Sequence, residues 1–275
     1  MLEITRTVRF CLGDRAPDAD AAGRRNTYSA WPPPAGLPRY YELLVTCRGE
    51  PDEPTGYLIN IKAIDDAVRT HALPLFHRAL GTHGGDGVPL GALLRDVFAA
   101  LAAALPVAVA RVTLRLTPLV TLTTDGPAMP HILLEQQYEF SAAHRLHVDT
   151  LSDEQNRATF GKCNNPAGHG HNYRLAVSVR CPVSPQGHVA AVAALDDVVA
   201  RGVIDHLDHK HLNRDVPAFA APAGVNPSVE HIAAVIWEML TPAVAALGPG
   251  VALDHIRVWE TEKTCCTYRG PAGSR

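Results

Sequence analysis

At 275 residues the chain is long enough for one large domain or two small ones, and 47% apolar against 19% charged residues supports a real core and excludes disorder. A formal charge of −3 provides no basic field for a nucleic-acid backbone or an anionic membrane. A small-molecule partner is expected instead.

In chain order, the opening "MLEITRTVRF" alternates apolar and polar residues like a strand and lacks the basic start and apolar middle of a signal peptide. The strand "YYELLVTCRG" (40–49) follows. Gly56 then opens a further strand in "GYLINIKAIDDAVR", and Asp65 and Asp66 are expected to begin a helix, where acidic side chains complement the helix dipole. A second helix is predicted over 90–105 and a closing strand in "VARVTLRLT". The most apolar run, "VFAALAAALPVAVA", is broken by Pro106 and closed by Arg111, too short to span a bilayer. Residues 121–131, rich in Thr, Gly and Pro, form the expected joint.

The second half repeats this order at an offset of about 131 or 132 residues. "NYRLAVSVRC" answers "YYELLVTCRG", and "GHVAAVAALDDVVA", with Gly187 and Asp196-Asp197, answers "GYLINIKAIDDAVR". A helix "SVEHIAAVIWEML" (228–240) and a strand "LDHIRVWET" complete it. The predicted class is α+β, with two tandem domains over 1–128 and 129–275, each a four-stranded antiparallel sheet with two helices on one face. The six cysteines, in a chain without an export signal, are expected to be reduced thiols of a cytoplasmic protein.

The chain has fourteen histidines, and nine of them crowd between His131 and His211. His169 and His171 lie two apart on the predicted strand "HGHNYRLAVSV", so both imidazoles leave one face, and a hairpin from "YEFSAAHRL" can bring His144 beside them. Three neutral imidazoles suit zinc with a fourth position open to substrate. Cys163, six residues before His169 in "FGKCNNPAGHGHNY", is a fourth ligand, a small buried hydrophobe or a reactive thiol; its loop lacks an apolar stripe, which favours the thiol. In "VIDHLDHKHLN" an Asp-His pair at 205/206 or 208/209 suits proton transfer, or else ends a solvated helix. Glu260 is either a solvated strand-end carboxylate or an acceptor for the N–H groups of a heterocycle.

With "FSAAHRL", "FGKCNNPAGHGHNY", "LDHKHLN" and "VWET" in order over about 135–269, the second half resembles the 6-pyruvoyltetrahydropterin synthase family, including relatives that form 6-carboxytetrahydropterin. The resemblance implies the tunnelling fold, in which several subunits close a barrel with active sites between them, so a homo-oligomer is expected. It implies zinc on His144, His169 and His171, Cys163 as the proton-abstracting base, and Asp208 with His209 completing a triad. Glu260 would anchor the pterin ring. At the family's Thr-x-Glu-Asn this chain has Ser228, Val229, Glu230 and His231, leaving Ser228 and Glu230 as substrate contacts. The implied substrate is 7,8-dihydroneopterin triphosphate, and the spacing of six points to the pyruvoyl product. Rival readings are a zinc hydrolase with Glu230 or Asp208 as base, and a pterin- or metal-binding module. At matched positions the first half has Asp14, Trp31, Leu37, Arg39, His77-Arg78 and Leu116, so it is read as a degenerate copy.

Overall fold

The structure is a computed structural model that describes residues 1–13, 26–34, 36–83, 87–189 and 192–271. It resolves into two compact units, Met1–Leu134 with Cys181–Ala190, and Glu135–Arg180 with Ala191–Arg275.

In the first unit four antiparallel strands pair in sequence order: β1 (Leu2–Leu12), β2 (Arg39–Gly49), β3 (Ala108–Thr117) and β4 (Val120–Thr124). Strand alternation sends Val8, Phe10, Leu43, Val45, Val112, Leu114 and Leu122 into the core, while Glu3, Arg9, Glu42, Arg48 and Arg115 take the other face and pair there as ions. Against the apolar face pack α1 (Ile61–Ala67), α2 (Leu73–His83) and α3 (Leu90–Ala104), whose buried residues include Ile64, Leu73, Leu94, Val97 and Leu101.

Four expectations from the sequence are corrected. No strand forms at Gly56, and α1 begins at Ile61, where the Asn60 side chain accepts the Lys62 N–H at 3.0 Å. An N-terminal cap therefore starts this helix four residues before the acidic pair. Asp65 lies buried near its end and accepts from Nε and Nη2 of Arg6 at 2.9 and 2.8 Å. Likewise Gly187 opens only an isolated bridge, Val183 to Val189. The expected joint is shorter as well, since Val120–Thr124 is strand.

In the second unit β5 (His131–His144) and β6 (His169–Pro182) are followed across the sheet by β8 (Ala252–Thr261) and β9 (Thr264–Tyr268), and the short β7 (Lys210–His211) runs parallel to β5. Between β5 and β6 stands α4 (Asp153–Phe160), started by a capping box in which Ser152 and Gln155 satisfy each other's backbone N–H. The helices α5 (Val192–Val199) and α6 (Val229–Ala245) follow. Tyr173, Leu175, Val177, Ile232, Ile236, Leu240, Ile256 and Val258 are fully buried. Truncating one of these, such as Ile236→Ala, costs about 2–5 kcal/mol by the usual cavity rule.

The two units share their strand and helix irregularities. Bulges interrupt β2 against β3 at Thr46/Cys47 and β6 against β8 at Ser178/Val179. A second pair falls at Arg115/Thr117 and Trp259/Thr261. A π turn follows α1 at Val68–Ala72 and another follows α5 at Ala200–Ile204. Such turns are rare enough that a matched pair is informative. No helix among the described residues is long and apolar enough to cross a membrane.

Candidate metal centre and catalytic cavity

The last residue of β5 and the first and third of β6 bring His144, His169 and His171 together, with ligand atoms within 4.8 Å of one another. His144 is buried, and its Nδ1 lies 2.7 Å from the Pro227 carbonyl. A carbonyl only accepts, so Nδ1 carries the proton and Nε2 offers a lone pair to the cluster. That Nε2 is 3.1 Å from Nε2 of His169, close to the about 3.4 Å that two nitrogens on one tetrahedral zinc maintain at ordinary Zn–N lengths. Nδ1 of His169 and Nε2 of His171 are buried without a hydrogen-bond partner among the described residues. Three converging imidazoles with unspent nitrogens fit a metal, and the all-nitrogen donor set suits zinc among biological cations. Burial pushes the His144 imidazole down to about 4, and burial with the neighbouring His171 lowers His169 as well. Neutral rings are the form a metal requires.

Glu260, near the end of β8, places Oε1 3.4 Å from His144 Nε2 and 3.7 Å from His171 Nε2. Its carboxylate thus stands directly on the triad. Tyr173 continues the face of His169 and His171, with its ring centroid 5.5 Å from that of His171. Its hydroxyl is buried and orphaned, and burial together with Glu260 and Cys163 pushes its pKa up.

Cys163 sits in the 3-10 turn Gly161–Asn164, pinned by the Leu146 N–H to its carbonyl at 2.9 Å. It opens onto a cavity of about 900 Å³ shared with His169, His171, Arg145, Arg157 and Lys162. The thiol is therefore neither a member of the metal cluster nor buried in apolar packing. Behind it, Asn164 Oδ1 accepts from Arg145 Nε at 3.0 Å and from His147 Nδ1 at 3.1 Å. Asn213 clamps the backbone of Arg145 on both sides, at 2.8 and 3.0 Å.

Asp208 and His209 form a hydrogen-bonded pair, Oδ2 to Nδ1 at 2.7 Å, and Asp208 Oδ1 accepts the Ser141 N–H at 2.7 Å. The Ser141 N–H and then His209 hold the Asp208 carboxyl below its usual range. His209 adopts φ 56° and is largely exposed. It borders a groove with His171, Ser141 and Asn172, and neither member of the pair lines the Cys163 cavity within this unit. Asp205-His206 occupies the helical turn before it. Ser228 caps α6 by accepting the His231 N–H, and Glu230 stands exposed in the first turn, its carboxyl lowered chiefly by Ser228. Ser228 directly follows Pro227, the partner of His144.

Sequence reasoning missed Pro227, Asn164, Asn213 and Tyr173. Two asparagines lay inside quoted motifs and Tyr173 continues the period-two face, whereas nothing local marks Pro227. In the first unit, Leu12 closes β1 as His144 closes β5, and an apolar pocket of Leu12, Tyr41, Phe76, Leu114 and Leu116 lies at that end. Asp14 falls outside the described residues. No metal-ligating cluster forms in the first unit among the described residues.

The family model of 6-pyruvoyl tetrahydropterin synthase matches residues 133–271. The 6-pyruvoyl tetrahydrobiopterin synthase of Poecilia reticulata is 43% identical over 132 residues, covering 48% of this chain and 85% of that protein. The Homo sapiens protein of the same name is 39% identical over 149 residues, covering 54% of this chain and 98% of its own. Among solved structures, 6-pyruvoyl tetrahydropterin synthase of Caenorhabditis elegans shows 39% identity over 52% of this chain and 98% of its own, with a TM-score of 0.47.

Proposed function

Because this chain belongs to the 6-pyruvoyl tetrahydropterin synthase family and is an enzyme of the lyase class, we propose that its second half converts 7,8-dihydroneopterin triphosphate to 6-pyruvoyltetrahydropterin with release of triphosphate. The reading is carried by one observation: Cys163 opens onto the same cavity as His169 and His171 while remaining outside their metal cluster. A base and a metal at separate positions around one space are what proton abstraction beside a polarised oxygen needs. The Cys163-to-His169 spacing of six and the pyruvoyl names of the relatives both favour the pyruvoyl product.

Zinc held by His144, His169 and His171, when bound, supplies Lewis acidity to the side-chain oxygens of the substrate. Pro227 keeps His144 in the tautomer that can ligate. Cys163, as thiolate, takes the proton from the side-chain carbon. Asp208 orients His209 through Nδ1 so that Nε2 can accept or return a proton. Glu260, Ser228 and Glu230 offer carboxylate and hydroxyl acceptors to the N–H groups of the pterin, and Arg145, Arg157 and Lys162 complement its anionic tail. The electrons stay within the substrate. Its two side-chain hydroxyl carbons are oxidised to carbonyls; two of the four electrons released reduce the ring and two reduce the terminal side-chain carbon from CH2–O to CH3 as triphosphate departs, so no external oxidant is needed.

Since Asp208 and His209 do not line the Cys163 cavity, a second copy is inferred to deliver them, with the active site at a subunit interface of a homo-oligomer. Matched bulges and π turns support reading residues 1–128 as a tandem copy of 129–275 that has lost its site. The apolar pocket at Leu12 and Leu116 agrees with that loss. Incubating zinc-loaded protein with the proposed substrate, followed by mass spectrometry, tests the function. The pyruvoyl product is expected. A carboxypterin with acetaldehyde overturns the product, and untouched substrate overturns the lyase reading.

A further inference from the structure

A second pocket of about 400 Å³ lies on the other side of Arg145 from the metal cavity, lined by His147, Asp149, His211, Asn213, Arg214 and other residues of 145–226. His211 is not used by the proposed chemistry. Both of its ring nitrogens are buried with no hydrogen-bond partner among the described residues. An imidazole carries at least one N–H, and leaving it unmade costs about 1–3 kcal/mol, so a polar occupant belongs there. The ring rests over Gly168, where an added Cβ would come within 2.7 Å of Nε2.

The charge around this pocket points to an anion. Arg214 enters no ion pair among the described residues, and Arg145 spends only Nε, on Asn164, leaving its terminal amino groups for a ligand. The carboxylate in the lining, Asp149, is turned toward His147 at 3.4 Å. The wall is also preorganised. Asn226 accepts the His147 N–H at 3.2 Å, Asn213 holds the Arg145 backbone, and the 216–226 loop is so tight that a Cβ on Gly224 would fall 2.3 Å from the Phe219 carbonyl carbon. Two guanidiniums and an imidazole N–H around a fixed, mainly polar space match the several acceptor oxygens of a phosphate group.

We propose that this pocket binds a phosphate-class oxyanion, with Arg145 forming the wall it shares with the metal cavity. Its source is either a free inorganic phosphate or polyphosphate, or the triphosphate tail of the substrate, a choice that rests on the lyase reading. The test is calorimetric titration of the zinc-loaded full chain with phosphate, pyrophosphate and triphosphate. Arg214→Ala and His211→Asn are each expected to weaken binding at least tenfold, at unchanged zinc content and Tm, while Arg201→Ala, an exposed guanidinium outside both cavities, leaves it within twofold. Equal affinity in wild type, Arg214→Ala and His211→Asn overturns the pocket, as does an equal loss in Arg201→Ala. Inorganic triphosphate that competes with substrate, together with a raised KM in Arg214→Ala, assigns the pocket to the tail. Non-competitive inhibition with an unchanged KM assigns it to a free anion. The titration needs no turnover, so failure of the lyase reading leaves it decisive.

Discussion

Replacing Gly168 with alanine probes how the metal centre is held. The residue precedes His169 and has φ +75°, which costs a side chain about 1–2 kcal/mol of backbone strain. The added Cβ would also lie 2.7 Å from His211 Nε2 and 3.0 Å from the His144 carbonyl oxygen. The second contact cannot be relieved cheaply, since that oxygen belongs to a metal-ligating residue at the end of a strand. Overpacking of this kind costs about 1–3 kcal/mol, for a total on the order of 2–5 kcal/mol. At roughly 2–4 °C per kcal/mol, the second unit should unfold about 4–20 °C earlier. Gly56→Ala is the control, because φ there is +67° and nothing lies within 4 Å of its added Cβ. It should show the backbone strain alone and leave metal affinity untouched, whereas Gly168→Ala should weaken metal binding by displacing His169. Differential scanning calorimetry with metal analysis reads both. If Gly168→Ala unfolds within about 1 °C of Gly56→Ala and keeps the same metal content, the crowding at Gly168 does not hold the site.

Cys163→Ala should keep zinc and Tm while losing most turnover, since it removes a base and no ligand; loss of metal would make the cysteine a ligand after all. His255, buried on β8, turns Nδ1 to Asp254 at 2.9 Å and Nε2 to Glu135 at 3.2 Å, with Arg269 on Asp254 at 3.4 Å. Arg180 and Arg257 bear on the same carboxylates. Although burial opposes it, these carboxylates raise the His255 pKa. A raised folded pKa stabilises fully below the unfolded value near 6.5 and is lost as pH rises through the folded one. The Glu135 and Asp254 carboxyls, both lowered, contribute above their unfolded values and fade in acid. Wild-type Tm should therefore fall from pH 6.5 to 8.5 more steeply than that of His255→Gln, and parallel curves would dismiss the linkage. A separated 129–275 chain should fail to assemble into active enzyme, because an open sheet edge invites misassociation; full activity from it would refute a structural role for the first half.

Much of this was written locally. Period-two alternation placed His169 and His171 on one face and carried the strands, because a strand's side-chain direction follows from the backbone alone. The motif "FGKCNNPAGHGHNY" marked Cys163 and the metal pair through residue types few structural roles require together. Helix starts were less legible, since Asn60, a cap recognised by one side-chain hydrogen bond, outranked the more visible Asp65 and Asp66. Tertiary structure alone decided the rest. That Glu260 stands on the triad, that Pro227 sets the His144 tautomer 83 residues away, and that Asp208-His209 faces a different groove from Cys163 depend on pairings across the sheet. Local pattern specifies which way a side chain points, and only packing between distant segments specifies what it meets.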